Sequence, residues 1–339
     1  MSKAGEPDPH AAVLFASIRD EQFQFTRQRG TVKFTTRNTF SCSPNSNISV
    51  LASKDSKQNA TYYSHQARQH PVMPDQTLAG KVAIVTGSNA GIGVAIAQEL
   101  SSRGASVVIN YPFPALAEEA ESVASGLPTA STSIAVEADL STEDGPQKLI
   151  DAAVARYNTI HILVNNAGLA VNKPLAQQTL DDWNKLVGLN ARAVFLLVQA
   201  VLPHLPTPSP STQEQPQTDG GRIVNIVSIS SRAAPPLQTI YAGTKGMVDS
   251  MTKVWAKELP PRYGCTVNAV SPGPTMTAGF AAAGEEFMKE MAPVMAQTPV
   301  GHRMALPEEI AFGVGFLCEP RASWINGLHL NACGGLHIE

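Results

Sequence analysis

A short apolar run, residues 81–86, leads directly into the glycine-rich turn Thr86-Gly-Ser-Asn-Ala-Gly-Ile-Gly93 and then into a helical pattern over about 92–103. That order constrains the fold more than any other feature of the chain. A glycine turn between a strand and a helix is the context in which such a motif holds a dinucleotide. Gly87 permits the tight turn, while Gly91 and Gly93 permit close approach of backbone to pyrophosphate and of helix to strand. Amides at the helix start can meet phosphate charge, and Ser88, Asn89 and Ile92 line the turn. Standing alone, the motif would equally fit an ordinary glycine loop.

The downstream pattern supplies the rest. Short apolar runs at 106–110, 133–138, 162–165, 221–228, 265–270 and 327–330 alternate with helical patterns at about 115–125, 145–157, 183–202, 241–259 and 308–318. Strands alternating with helices imply a parallel sheet covered on both faces. The expected fold class is α/β: one doubly wound Rossmann domain over 78–339 with a mostly parallel seven-stranded sheet. Residues 205–220 are rich in Pro, Ser, Thr and Gln and read as an exposed loop insertion.

Residues 1–77 differ in composition. They are polar, with little periodicity, and from Glu21 to Asp55 they carry basic residues without an intervening acid. The stretches 22–26 and 31–35 alternate weakly and allow a short hairpin, but a poorly structured, flexible extension is the main expectation. Mitochondrial targeting is weighed against by the lack of an amphipathic stripe at the start of the chain, and a cytoplasmic location is expected. The whole chain of 339 residues is 43% hydrophobic with a formal charge of −3, which argues against a general nucleic-acid binder. Its four cysteines are widely spaced, so neither a disulfide framework nor a metal site is expected. No apolar run approaches the roughly 20 residues of a membrane span, so no membrane segment is expected.

Further positions fit a dinucleotide. Asp139 and Leu140 follow the third strand, where a carboxylate can accept from an adenine amino group or cap the next helix. Asn166, Ala167 and Gly168 end the fourth strand, and small residues there let a cofactor cross the carboxyl edge of the sheet. The second strand ends Ile109-Asn-Tyr-Pro112, without the acid that often binds an adenosine ribose diol. This favours NADP(H), with NAD(H) open and Asn110 and Tyr111 as the contacts.

The reacting groups follow. Tyr241 and Lys245, four apart on a helix, share one face. Hydride arriving at a carbonyl carbon leaves charge on oxygen, so a hydroxyl must donate a proton as that charge grows. Tyr241 suits that role, and the Lys245 ammonium is expected to ease it by stabilising the phenolate. Ser228, thirteen residues before Tyr241, can donate a second hydrogen bond to the carbonyl oxygen, with Ser230 and Ser231 as rivals. No charged residue occurs between Ala233 and Tyr241, which points to a neutral, apolar or aromatic ketone or alcohol as the small-molecule partner.

In order and spacing, this set resembles the short-chain dehydrogenase/reductase family over about 78–336, with likeness to 3-oxoacyl-carrier-protein reductases and fungal naphthol and versicolorin-type ketoreductases. The resemblance implies a Rossmann fold, NADP use and a homotetramer, or a homodimer. It implies that Asn190 anchors a water relaying protons towards Lys245, where the residues alone show only a mid-helix amide. It implies that Pro272, Gly273 and Thr277, with Thr275 as rival, lie near the nicotinamide. Residues 278–299 would then form a lid, with Phe280, Phe287, Met288, Met291 and Met295 as an apolar wall or a core stripe. The sequence departs from the family at Asn331-Ala-Cys-Gly-Gly335, where an aspartate commonly precedes the glycines, and at 301–304, which carries one extra residue. The expected activity is an NADPH-dependent ketoreductase, possible in secondary metabolism. The alternatives are an NAD-dependent secondary-alcohol dehydrogenase and a non-catalytic nucleotide-binding scaffold.

Overall fold

A computed structural model describes residues 23–28, 31–36, 76–206, 220–282 and 284–338. The chain divides into two units, Met1–Pro71 and Val72–Glu339. In the first, strands Phe23–Gln28 and Thr31–Thr36 pair antiparallel, with Phe25 opposite Phe34. The weak alternation of those residues therefore forms a hairpin. The remainder of the extension, Cys42 and nearly all of the 205–220 insertion lie outside the described residues.

The second unit is built on seven strands: β1 (Val82–Val85), β2 (Ser106–Tyr111), β3 (Ile134–Glu137), β4 (Ile162–Asn165), β5 (Arg222–Ile226), β6 (Thr266–Pro272) and β7 (His329–Ala332). All are parallel, in the order β3-β2-β1-β4-β5-β6-β7. The main helices are α1 (Gly91–Ser102), α2 (Ala117–Gly126), α3 (Gly145–Tyr157), α4 (Leu180–Val187), α5 (Ala193–Val201), α6 (Thr239–Glu258), α7 (Gly284–Gln297) and α8 (Pro307–Cys318).

Successive residues of each central strand bury on opposite faces, because the strand period is two. Ile84, Leu163, Ile223 and Val267 meet Leu149 and Ile150 of α3, Leu197 of α5 and Trp255 of α6. Val85, Val164, Val224 and Val270 meet Ile96 and Leu100 of α1 and Ile310 and Val314 of α8. A continuous apolar strand is thus what a sheet covered on both sides requires. Each such fully buried Leu, Ile or Val contributes about 1.5–3 kcal/mol. Chain direction across the sheet reverses between β1 and β4. The crevice outside their carboxyl ends is where ligands of doubly wound sheets bind.

Three elements differ from the sequence reading. The helix expected over 183–202 begins at Leu180, because Thr179 and Asp182 form a reciprocal capping box. It is also interrupted by a π turn, Gly188–Arg192, which no periodicity revealed. The last strand forms two residues later than expected, since Gly327 adopts φ 74° and donates its N–H to Val267 O before pairing begins. In addition, the 25-residue rod Leu180–His204 is long and apolar enough to cross a membrane by length and composition, contrary to the reading that no run approached this; half of it is buried, against the sheet.

Candidate active site

The glycine turn after β1 is held by neutral hydrogen bonds. Gly87 N donates to Asn110 Oδ1 (3.1 Å) and Ser88 N to Asn110 O (3.0 Å). Ser88 Oγ donates to Val85 O (2.7 Å) and accepts from Asn110 N (3.1 Å). A methyl built on Gly93 would lie 2.4 Å from Gly87 O and 2.7 Å from Asn166 Nδ2, so only glycine allows α1 to approach this closely. The helix begins at Ala90 with no side-chain cap and no acid in its first turn. Its leading amides and positive dipole end are therefore left for an anion. The cradle fits the pyrophosphate of a dinucleotide.

Thr86, overlooked in the sequence reading, joins this turn to the one after β4. Its Oγ1 accepts from Asn166 N and Ala167 N, both at 2.9 Å. Asn166 Nδ2 returns a bond to Thr86 O at 2.8 Å. In the sequence Thr86 shows only as the last residue of a strand, and its hydroxyl matters because the amides of Asn166 and Ala167 converge on it.

Several cofactor candidates occupy other positions than expected. Asn110 is buried, and its amide also donates to Ala138 O (3.1 Å), so the side chain shapes the turn instead of facing a ribose. Ser88 is likewise fully buried, and Leu140 belongs to the core. Tyr111 is buried too, and its phenol is pushed up by burial and by Glu137 and Glu121. Asp139 Oδ1 accepts from Ser141 N (2.9 Å) and Oγ (2.7 Å) in a local turn, and does not cap α3, whose N-cap is Asp144. Thr275 is buried and donates to Gly273 O (3.0 Å), whereas Thr277 Cγ2 would lie 3.4 Å from a methyl on Gly91. Thr277 is thus the threonine over the glycine turn, and its Oγ1 also caps the one-turn helix Ala278–Ala281. Asn89 and Ile92 are partly exposed on the turn and first helical turn.

The residues expected to react meet at the end of β5. The Ser228 hydroxyl lies close enough to the Tyr241 phenol to pull its proton affinity down. Ser230 N donates to Ser228 Oγ (3.1 Å), while Ser231 N (3.1 Å) and Oγ (2.8 Å) both donate to Ser228 O. The two rival serines therefore orient Ser228. Lys245 is buried, its Nζ donating to Ile226 O (2.7 Å) and lying 5.9 Å from the Tyr241 ring centroid. Burial lowers its ammonium to about 8. Burial also raises the Tyr241 phenol, more than Ser228 lowers it. This corrects the expected depression of the phenol: Lys245 donates to a carbonyl here, and desolvation dominates.

Asn190 sits in the π turn, where one added residue re-aims the side chains. Its Nδ2 donates to Leu169 O (2.9 Å) and Thr244 Oγ1 (3.2 Å), and its Oδ1 accepts from Leu169 N (3.0 Å). The amide thus clamps the residue after Gly168. A methyl on Gly168 would lie 3.2 Å from Asn190 Oδ1 and 3.3 Å from Lys245 Nζ. Pro272 O accepts from Ile229 N (3.2 Å), and Gly273 N donates to Ala332 O (3.0 Å), placing the loop after β6 beside the Ser228 turn.

The segment between Ser228 and Tyr241 holds two left-handed residues, Ala234 (φ 48°) and Leu237 (φ 71°). Such conformations persist only when surroundings impose them. Leu237 O accepts from Lys173 N (3.0 Å) and Gln178 Nε2 (3.3 Å). Lys173 in turn grips both Asp182 oxygens at 2.9 Å, which with the Thr179 bonds holds that carboxyl at about 2. Within 278–299, Met288, Met291 and Met295 are partly buried and Phe280 is partly exposed; the Phe287 side chain lies outside the described residues.

Residues 87–337 match the family model described as Enoyl-(Acyl carrier protein) reductase. The chain is 38% identical over 268 residues to the short-chain dehydrogenase/reductase FrzI of a Cladobotryum species, covering 78% of this chain and 98% of that protein. It is 34% identical over 260 residues to the hydroxynaphthalene reductase arp2 of Aspergillus fumigatus, covering 74% and 90%. Among solved structures, the angucycline C-6 ketoreductase LanV with bound NADP aligns at TM-score 0.68 and 30% identity, over 77% of this chain and 96% of that one.

Proposed function

This chain belongs to the short-chain dehydrogenase/reductase family of NAD(P)-dependent oxidoreductases, and we propose that it is an NADPH-dependent ketoreductase. The observation that carries this reading is the buried Lys245 cation, 5.9 Å from the Tyr241 ring, with the Ser228 hydroxyl beside that phenol. The cofactor, when bound, supplies the hydride. Ser228 donates to the substrate carbonyl oxygen and holds it in place. Tyr241 transfers its phenolic proton to that oxygen as charge develops, completing the alcohol. Its raised proton affinity keeps it in the acid form at neutral pH, and Lys245 stabilises the phenolate left behind. Asn190 keeps the 166–169 turn seated over Lys245.

The Gly87–Gly93 cradle and the α1 amides would hold the pyrophosphate, with Thr277 above it. The acid-free end of β2 supports a 2′-phosphate, as does the NADP in LanV. One observation favours the second reading, an NAD-dependent secondary-alcohol dehydrogenase: Glu137 stands in register with Tyr111 on the neighbouring strand. The substrate we propose is a neutral apolar or aromatic ketone, supported by the uncharged Ala233–Tyr241 wall and by the hydroxynaphthalene reductase relative. A cytoplasmic homotetramer or homodimer completes the proposal. Paired fluorescence titration with NADPH and NADH tests it. Much tighter NADPH binding, with turnover of aromatic ketones, is expected; preference for NADH would turn the assignment to secondary alcohols, and binding of neither would favour a non-enzymatic role.

A further inference from the structure

Asp249 lies one turn beyond Lys245 on α6 and is buried. Its carboxylate joins three elements. Oδ2 accepts from Arg232 Nη2 (2.8 Å) and from Lys253 Nζ (2.9 Å), and Oδ1 accepts from His329 Nδ1 of β7 (2.7 Å). Burial pushes this carboxyl up, but the bonds from His329, Lys253 and Arg232 outweigh it and hold it at about 2. It is an anion under all working conditions. His329 is pushed down, burial outweighing the carboxylate's pull, so the positive charge comes from Arg232 and Lys253.

The position of Arg232 gives the cluster its meaning. It sits in the one-turn helix Ser230–Ala233, four residues after Ser228. That turn supplies the Ser230 and Ser231 bonds that orient Ser228. Asp249, on the helix of Tyr241 and Lys245, is therefore tied directly to the turn that aims the serine hydroxyl. Lys253 touches the same oxygen but shares a helix with Asp249, so it links nothing across elements. The Arg232 contact uses a single nitrogen, a geometry that an ammonium can also satisfy.

We propose that Asp249 is a positioning residue that, through Arg232, fixes the Ser228 turn against the helix carrying Tyr241 and Lys245 and so keeps the serine hydroxyl beside the tyrosine. Its kinetic consequence rests on the ketoreductase reading; its geometric consequence does not.

The test uses the full chain labelled with 13Cζ-tyrosine. Tyr241 ionisation is followed by NMR, with Tyr241→Phe for assignment and Ser228→Ala as the reference for a lost hydroxyl. Ketone reduction is measured in parallel. Arg232→Met and Asp249→Asn are expected to raise the Tyr241 pKa towards that of Ser228→Ala and to lower kcat about tenfold or more, with KM for NADPH unchanged. Arg232→Lys should restore most of both, and Lys253→Ala should alter neither. A Tyr241 titration or a kcat unmoved in both disrupting variants overturns the proposal. So does a Lys253→Ala effect equal to theirs. Two disruptions are made so that one may fail to fold and the other still decides. If the wild-type chain transfers no hydride while Arg232→Met still shifts Tyr241, the positioning proposal stands and the reductase reading falls.

Discussion

The two halves of the crevice are built from different materials. The cradle at the ends of β1, β2 and β4 is backbone, glycine and neutral side chains: Thr86, Ser88, Asn110 and Asn166 bond one another and leave the α1 amides outward. The floor at the end of β5 and on α6 is built on buried charge: Lys245, donating to the Ile226 carbonyl, and Asp249 among three donors. Neutral hydrogen bonds fix a shape at little electrostatic cost. Buried charge is costly to maintain, and it tunes proton affinity. The cradle is accordingly expected to set affinity and the floor to set rate.

The largest expected break in this comparison is Tyr241→Phe. It removes the proton donor and keeps the packing, so kcat should fall by about 10²–10⁴ with NADPH affinity preserved; steady-state kinetics beside a binding titration checks both. Next is Gly93→Ala, which places a methyl 2.4 Å from Gly87 O. Overpacking against backbone costs about 1–3 kcal/mol, so NADPH affinity should weaken by about tenfold or more, while kcat at saturating cofactor changes less. Fluorescence titration decides it, and equal losses in both quantities would erase the division.

Smaller, but specific to the floor, is the pH response. With Lys245 at about 8 and the Tyr241 phenol raised, the reductive kcat should decline above about pH 8, because the ammonium is lost before the phenol ionises. Stability moves the other way. Between about 8 and the ordinary 10.5, the unfolded chain holds more protons at this site than the folded one, so this residue's contribution to stability rises with pH. A kcat flat to pH 10 would remove Lys245 from the mechanism. The smallest expected effect is that of deleting residues 1–74, which should leave kcat within about twofold; a large loss would bring the extension into function.

The halves also differed in legibility. The cradle glycines announce themselves, since a strand, a glycine turn and a helix in sequence leave few alternatives. Tyr241, Lys245 and Ser228 are readable because their spacing carries chemistry. Thr86 and Asn110 were missed or misassigned because their value lies in bonds between residues 80 and 23 positions apart, which no local pattern records. Arg232 and Asp249, 17 positions apart, carry no local signal for the same reason. The π turn was invisible because apolar periodicity continues across it. Thr277 was separable from Thr275 only once the fold brought it against Gly91.

The π turn at Gly188–Arg192 fixes the count of residues along this helix. It holds one more residue than the α-helical turn it replaces. A deletion there would restore a regular helix, but each residue turns the chain by about 100°. Everything on one side of the deletion would then face a new direction, and either Asn190 would leave Leu169 or the α5 apolar face would leave the sheet. The length of this stretch is therefore fixed, because the count of residues sets at once where Asn190 and the α5 apolar face point.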